Sequence, residues 1–286
     1  MNEIDESAPE TVIEATHGLR FVPWRELCAY RDLLWLLVWR DIASRYKQTV
    51  LGLLWFVAQP LLTTIVFVVI FSRVARIPTN GAPASLFYLC GLLPWSYFAQ
   101  TFQSTSNSLS NNATMFGKVY FPRLIVPLSS AISNLLPLAI QFAVYLGVFA
   151  MEKIGPRGPS FGFAASAALL PLVIVQVGLL SLGIGLWIAA LTTKFRDFAI
   201  LAGFVLQLWM YVTPVVYPLS RVPERWYWVA ALNPMTYPLE ATKFMLLRAG
   251  SPTPGLFALS AAVTLGTLAS GIFVFRHIEK TFVDVI

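Results

Sequence analysis

Long stretches without charged residues alternate with short charged segments along this chain. Six of the stretches exceed twenty residues: 48–72, 77–117, 124–151, 158–193, 198–220 and 249–275. The shortest holds 23 residues, which as a helix would reach about 35 Å and would cross a hydrocarbon core of about 30 Å. The pattern predicts six membrane-spanning helices, near residues 50–72, 85–107, 124–150, 165–191, 198–217 and 256–275.

The second stretch is long enough for two helices, but its latter half is polar. Residues 100–112 read Gln-Thr-Phe-Gln-Ser-Thr-Ser-Asn-Ser-Leu-Ser-Asn-Asn. Because lipid offers no hydrogen-bond partners to such groups, we predict one span there and not two. Six spans place both termini on the same side of the membrane.

Two other segments are too short or too polar to span. Residues 24–47 have an apolar centre of seven residues flanked by charges, which favours a helix lying in the membrane interface. Residues 218–254 contain short apolar pieces interrupted at Pro234 and Pro238, which favours two short re-entrant helices. We therefore divide the chain into an acidic, disordered cytoplasmic tail (1–22), an interfacial helix (23–49) and a six-span domain (50–280).

Composition agrees with this architecture. Hydrophobic residues make up 57% of the chain and charged residues 12%, against about 25% charged residues in soluble domains. The nine Trp residues suit the two membrane interfaces. The chain is predicted to be an all-α integral membrane protein. Its acidic start is unlike the basic start of a signal peptide, so we expect no cleavage.

Lysine and arginine positions predict the orientation. With a cytoplasmic N-terminus, twelve of the twenty basic residues fall on the inside. Cytoplasmic segments carry the excess of such residues, so both termini are expected in the cytoplasm.

The sequence contains none of the motifs of a membrane enzyme or a nucleotide-binding site. It has no G-x-x-x-x-G-K-[ST] phosphate loop, no H-E-x-x-H and no G-x-S-x-G. Cys28 and Cys90 lack the spacing of a metal or redox site. The predicted spans contain no carboxylate, histidine or lysine, which disfavours catalysis and ion-coupled transport. We expect no catalytic residue, metal or cofactor in this chain, and energy from a partner.

Neutral polar and aromatic residues are the remaining candidates for function. Sugars bind to amides, hydroxyls and flat aromatic faces, so these residues could line a glycan path. An aromatic belt at the interface, with amides joining helices, would give the same pattern. The candidate path residues are Trp95, Tyr97, Phe98, Gln100, Gln103, Asn107, Tyr211, Tyr217, Trp226, Tyr227 and Trp228.

Small residues at four-residue spacing predict faces where helices pack closely. They are Ser181, Gly185 and Ala189 in the fourth span, and Ala258, Ala262, Gly266 and Ser270 in the sixth. The spacing leaves open whether these faces pack within one chain or between two.

Five motifs in order resemble the permease subunits of type-2 ABC exporters for polysaccharides, the O-antigen, capsule and teichoic-acid exporters. Residues 38–60 resemble the opening of these permeases. Further matches are Lys-Val-Tyr-Phe-Pro-Arg at 118–123, Phe-Arg-Asp at 195–197, Thr-Pro-Val-Val-Tyr-Pro at 213–218 and Leu-Asn-Pro-Met at 232–235. The resemblance covers about residues 24–280.

This resemblance implies a homodimer in the bacterial cytoplasmic membrane, bound to two copies of a separate ATPase subunit. That subunit would bind ATP and Mg, and a lipid-linked polysaccharide would pass between the permeases; no nucleic acid is involved. An alternative is a type-2 ABC permease for a lipid or drug. A carrier or enzyme outside the ABC class is a further alternative.

The resemblance also assigns roles to particular residues. Residues 112–123 resemble the coupling helix that docks into the ATPase, and 194–197 resemble a second, smaller contact. Without the family, these segments would be ordinary basic cytoplasmic loops. The docking residues would be Phe116, Lys118, Tyr120, Phe121, Arg123, Lys194, Arg196 and Asp197. The interfacial helix would be a gate, where Arg40, Arg45 and Lys47 could meet a pyrophosphate lipid headgroup.

Overall fold

A computed structural model describes residues 24–46, 54–116, 121–154, 161–195 and 197–281, and the structural statements below concern these residues. They form thirteen α-helices and no strand. The predicted all-α class is confirmed. The predicted acidic tail lies outside the described residues.

Six helical passes run between the two opposite ends of the fold that the described residues form. Each pass is one helix or a broken helix. They are α3 (Leu54–Phe67, continued as a π-helix, Val68–Val74), α4 (Ala84–Ser106), α7 and α8 (Ile125–Ser133 and Leu135–Ile154), α9 (Leu170–Lys194, after the 3-10 helix Ala165–Leu169), α10 (Asp197–Val212) and α13 (Pro254–Thr281).

Shorter helices lie at the two ends. At one end are α1 (Trp24–Ala29), α2 (Arg31–Tyr46), α5 (Ser108–Asn111) and α6 (Ala113–Phe116); at the other are α11 (Glu224–Leu232) and α12 (Thr236–Leu247), preceded by the 3-10 helix Leu219–Arg221. We call these the α2 end and the α12 end. The α2 end also includes residues 121–125 and 194–197, and the α12 end includes residues 75–83 and 213–253.

Four of the passes are long and apolar enough to cross a membrane: Leu54–Val74, Ile125–Ile154, Ala165–Lys194 and Pro254–Ile278. The passes α4 and α10 differ from these. Helix α4 has 23 residues but is more polar, and α10 has 16 residues and reaches only about 24 Å. Their crossing of the membrane stays a prediction.

Helix α4 occupies the centre of the fold. It contacts α3, α8, α9, α10 and α12, and most of its side chains are buried. Aromatic and aliphatic residues of α4, of α9 and of α12 with the residue before it form one core cluster, to which Phe87, Trp95, Phe98, Val177 and Met235 belong. The helix with the most polar sequence among the passes is thus shielded by its neighbours.

Helices α9 and α13 approach each other through glycines. A Cβ atom on Gly271 would lie 2.4 Å from the backbone oxygen of Gly183, and one on Gly183 would lie 2.7 Å from the amide nitrogen of Leu268. Nearby, the Trp187 indole donates a hydrogen bond of 3.1 Å to Ser270 Oγ. This contact requires the absence of side chains at both glycines.

The predicted small-residue faces have different environments. Ser181, Gly185 and Ala189 of α9 are buried within the chain, and Gly185 lies against Thr105 of α4. On α13, in contrast, three of the four predicted residues are exposed: Ala258, Ala262 and Gly266. The α9 face therefore packs within one chain, whereas on α13 the contact with α9 is at Ser270, the fourth predicted residue, and at the neighbouring Gly271.

Candidate functional site

At the α2 end, helix α2 packs on the segment predicted to dock an ATPase. Leu37 of α2 shares a buried cluster with Phe121, Ile125 and Val126. The rings of Phe116 and Phe121 lie 5.5 Å apart, centroid to centroid. Phe121 is buried inside the chain, whereas Phe116 is half-buried. Of the two rings, Phe116 is the one available for an external contact.

Charged groups surround this aromatic pair. The Arg123 guanidinium carbon lies 5.6 Å from the centre of the Phe116 ring, a cation–π distance. Lys194 and Asp197 are exposed at the same end, and Lys194 Nζ lies 5.4 Å from the Phe195 ring. The predicted docking residues Lys118, Tyr120 and Arg196 lie outside the described residues.

Arg40 joins α2 to the short helices of this end. Its guanidinium forms an ion pair of 2.9 Å with Asp41 and donates a hydrogen bond of 3.3 Å to Asn112 Oδ1. The same group lies 3.7 Å from the sulfur of Met115. Arg45 is half-buried, and Lys47 lies outside the described residues. The predicted gate helix is thus attached directly to the predicted coupling segment.

The structure divides the predicted glycan path into buried and accessible residues. Trp95, Tyr97 and Phe98 are buried in the α4 core, where the Tyr97 hydroxyl donates to Ala131 O at 3.3 Å. Gln100, Gln103 and Asn107 are half-buried further along α4; of these, Asn107 Nδ2 donates to Gln103 O at 2.9 Å. In the described chain the three aromatic residues of α4 form no open surface.

The other predicted path residues lie towards the α12 end. Tyr211, Trp226 and Trp228 are 57%, 54% and 60% exposed, and Tyr227 is exposed as well. Tyr217 is half-buried, and its hydroxyl donates to Val212 O at 2.9 Å. Among the predicted path residues, the accessible aromatic surface therefore lies on the end of α10 and on α11.

Two of the recognised motifs meet at the α12 end. Asn233 accepts a 3.0 Å hydrogen bond from the Trp209 indole and donates one of 2.8 Å to Thr213 Oγ1. Its Oδ1 also accepts the Met235 amide at 3.0 Å. Across the junction, Gly91 of α4 leaves room for the backbone: a Cβ there would be 2.7 Å from Val215 O. The Asn-Pro motif thus fastens α11 and α12 to the end of α10.

A buried ion pair reinforces this junction. It was not predicted from the sequence. Lys243 and Glu240 of α12 are almost completely buried, and Lys243 Nζ lies 3.4 Å from Glu240 Oε1. Lys243 also donates to the carbonyl oxygens of Pro214 and Tyr217, and Glu240 Oε2 accepts the Ser251 amide at 3.1 Å. The available signal was a Glu and a Lys three residues apart within an apolar segment.

Together, the fold and these two ends define a helical, multi-pass membrane protein. Among the described residues, no group of three or more His, Cys, Asp or Glu side chains is placed to hold a metal ion. The ABC-2 type transporter family profile matches residues 32–247. The chain belongs to this family.

Curated relatives agree with the family assignment. The O-antigen export system permease protein RfbA of Myxococcus xanthus is 31% identical over 261 residues, 89% of this chain and 96% of the relative. An RfbA protein of Klebsiella pneumoniae is 30% identical over 71% of this chain and 76% of its own length. The polysialic acid transport protein KpsM of Escherichia coli is 23% identical over 84% of this chain and 91% of its own length.

Proposed function

We propose that this chain is the membrane permease subunit of an ABC exporter, which carries a lipid-linked polysaccharide across the bacterial cytoplasmic membrane. The observation that carries the proposal is the near full-length similarity to an O-antigen export permease. The membrane-spanning helices agree with it. In this proposal six passes cross the membrane and both termini lie in the cytoplasm.

A separate ATPase supplies the energy in this proposal, because the sequence contains no phosphate loop. Two copies of the permease, each bound to one ATPase subunit, form the transporter. ATP and Mg bind to the ATPase, and this chain is not an enzyme by itself. The α2 end faces the cytoplasm and contacts the ATPase.

Contact with the ATPase is proposed at Phe116 and Arg123, with support from Lys118, Tyr120, Lys194, Arg196 and Asp197. The burial of Phe121 gives it a supporting role, which is to anchor the segment on α2. Because Arg40 bonds to Asn112, movement of the segment would pull on α2. The basic residues of α2 and its end, Arg40, Arg45 and Lys47, are proposed to meet the lipid phosphates.

The glycan path is proposed on the exposed aromatic residues of α10 and α11. A sliding polymer needs weak, repeated contacts, and stacking faces such as Tyr211, Trp226 and Trp228 provide them. The half-buried amides Gln100 and Gln103 add hydrogen-bonding groups. Trp95, Tyr97 and Phe98 do not contact the polymer in this proposal; from the buried α4 core they support the residues that line the path.

Co-purification with the ATPase of the same exporter, together with surface polysaccharide in cells lacking the native permease, tests this function. Phe116→Ala removes apolar contact area and Arg123→Glu reverses a rim charge, so each should lower both ATPase recovery and export. Phe273→Ala, which changes an exposed aromatic residue of α13, is the matched control and should change neither.

A path variant separates transport from assembly in the same experiment. Trp228→Ala should reduce surface polysaccharide severalfold while ATPase recovery and permease level stay normal. Normal export by all of these variants would refute the assigned roles. If cells lacking the chain still displayed their polysaccharide, the proposed function itself would be wrong.

A further inference from the structure

A cavity at the α12 end contains two arginines that the export mechanism does not use. Its volume is about 510 Å³, and it is lined by residues 75–78 on one side and by Tyr217 and residues 221–223 on the other. Arg76 and Arg221 are the charged residues of its wall, and both are exposed. The cavity thus lies between the end of the first pass and the chain that follows α10.

Three other cations at or near this end are directed to protein acceptors. Lys243 is paired with Glu240, Lys153 Nζ donates to Phe161 O, and Arg248 donates to Phe163 O at 3.1 Å. By contrast, the guanidinium groups of Arg76 and Arg221 form no ion pair or hydrogen bond with any described residue. Two positive charges therefore face one cavity without a neutralising carboxylate.

The backbone holds one of these arginines in a defined position. Arg76 adopts a left-handed conformation with φ of 52°, two residues after the end of the π-helix that continues α3. The amide of the next residue, Ile77, bonds back to Phe71 O at 2.8 Å. The nearest carboxylate in sequence, Glu224, follows Pro223 but does not line the cavity. The net charge of the wall is therefore positive.

This chemistry selects an anion with several oxygen atoms. A guanidinium donates paired hydrogen bonds to phosphate, and two guanidinium groups would neutralise its charge. The volume is within the range of about 300–1,000 Å³ that is typical of small-molecule sites. We propose that this cavity binds a phosphate group, carried by a membrane phospholipid or by a free inorganic anion.

The test is calorimetric titration of the full-length chain in phosphatidylcholine nanodiscs. Inorganic pyrophosphate and short-chain dihexanoyl phosphatidic acid serve as separate probes. Arg76→Gln and Arg221→Gln should each weaken binding by about tenfold or more, since each removes a charge-assisted contact. Arg225→Gln is the matched control: this arginine is exposed on α11 but does not line the cavity, so its loss should leave binding unchanged.

The two probes distinguish the source of the phosphate. Arginine-dependent binding of phosphatidic acid alone assigns the site to a lipid headgroup, and binding of pyrophosphate alone assigns it to a free anion. Binding of neither probe, or equal binding by all three variants with unchanged melting temperatures, would overturn the proposal. Export is not measured in this titration, so failure here leaves the proposed function untouched.

Discussion

Lys243 illustrates how a charged residue can be accommodated in the apolar interior of this protein. Its ammonium group is surrounded by Glu240, by the carbonyl oxygens of Pro214 and Tyr217, and by the ring of Phe87 at 4.4 Å. The carbonyls lie in residues 213–218, beyond the end of α10, where no helix supplies donors for them. The lysine therefore acts as the missing donor and ties α12 to this irregular segment.

We predict that Lys243→Met destabilises the protein by about 3–5 kcal/mol, because it leaves Glu240 buried without its counter-charge. The double variant with Glu240→Gln should be more stable than Lys243→Met alone, since the amide oxygen still accepts from Ser251. Thermal unfolding in detergent measures both. Lys194→Met changes an exposed lysine and should leave the melting temperature unchanged. If the stability losses of Lys243→Met and Glu240→Gln simply added in the double variant, this account would be contradicted.

The sequence indicated the types of the functional residues better than their environments. The basic and aromatic residues of 112–123 could be identified, but the burial of Phe121 depends on α2, which is about eighty residues away along the chain. Trp95, Tyr97 and Phe98 resembled an interfacial or path surface because they precede the polar residues Gln100, Gln103 and Asn107 along the same predicted span. Their burial results from contacts with α9, α10 and α12, which no local pattern encodes.

At the scale of helices, the charge-free stretches coincide with helical segments of the structure. Residues 165–191 fall within Ala165–Lys194, and residues 85–107 overlap α4. That all six stretches cross the membrane stays a prediction. Less predictable was the packing face of α13. Four-residue spacing pointed to Ala258, Ala262, Gly266 and Ser270. Of these, Ser270 bonds to Trp187 of α9, but the close approach of the two backbones is at Gly271, because it depends on both helices.

Gly271→Ala should therefore destabilise the α9–α13 pair by about 1–3 kcal/mol, since the added methyl group would overlap the backbone of Gly183. Gly266→Ala is the control in the same helix. A Cβ there meets nothing within 4 Å, so this change should be neutral or slightly stabilising through helix propensity. Thermal unfolding compares the two variants. Equal melting temperatures for the two variants would show that the added methyl group at residue 271 does not weaken the contact between α9 and α13.

At the scale of the whole molecule, the two ends carry different sets of side chains. The α2 end combines helix α2 with charged and aromatic groups, while the α12 end carries the buried ion pair, the Asn233 junction and the arginine-lined cavity. In the proposed orientation the first faces the ATPase and the second faces away from the cytoplasm. The helical passes, some of them broken, connect the two ends.

Cysteine labelling of intact cells checks this orientation. In a background of Cys28→Ala and Cys90→Ala, Ser220→Cys at the α12 end should react with a membrane-impermeant thiol reagent. Ser110→Cys at the α2 end should react only after the membrane is permeabilised. Both serines are exposed, so accessibility of the side chain does not differ between the two positions. The reverse labelling pattern would invert the topology.

The central position of α4 also has a consequence for biosynthesis. This helix is not among the four that are apolar enough to qualify as spans by themselves, and its main cover, α9, lies more than sixty residues further along the chain. When α4 leaves the ribosome, the partners that bury its hydroxyl and amide groups have not yet been made. Its stable entry into the bilayer should therefore wait until α9 has been synthesised, which makes insertion of this protein a cooperative process and not a strictly sequential one.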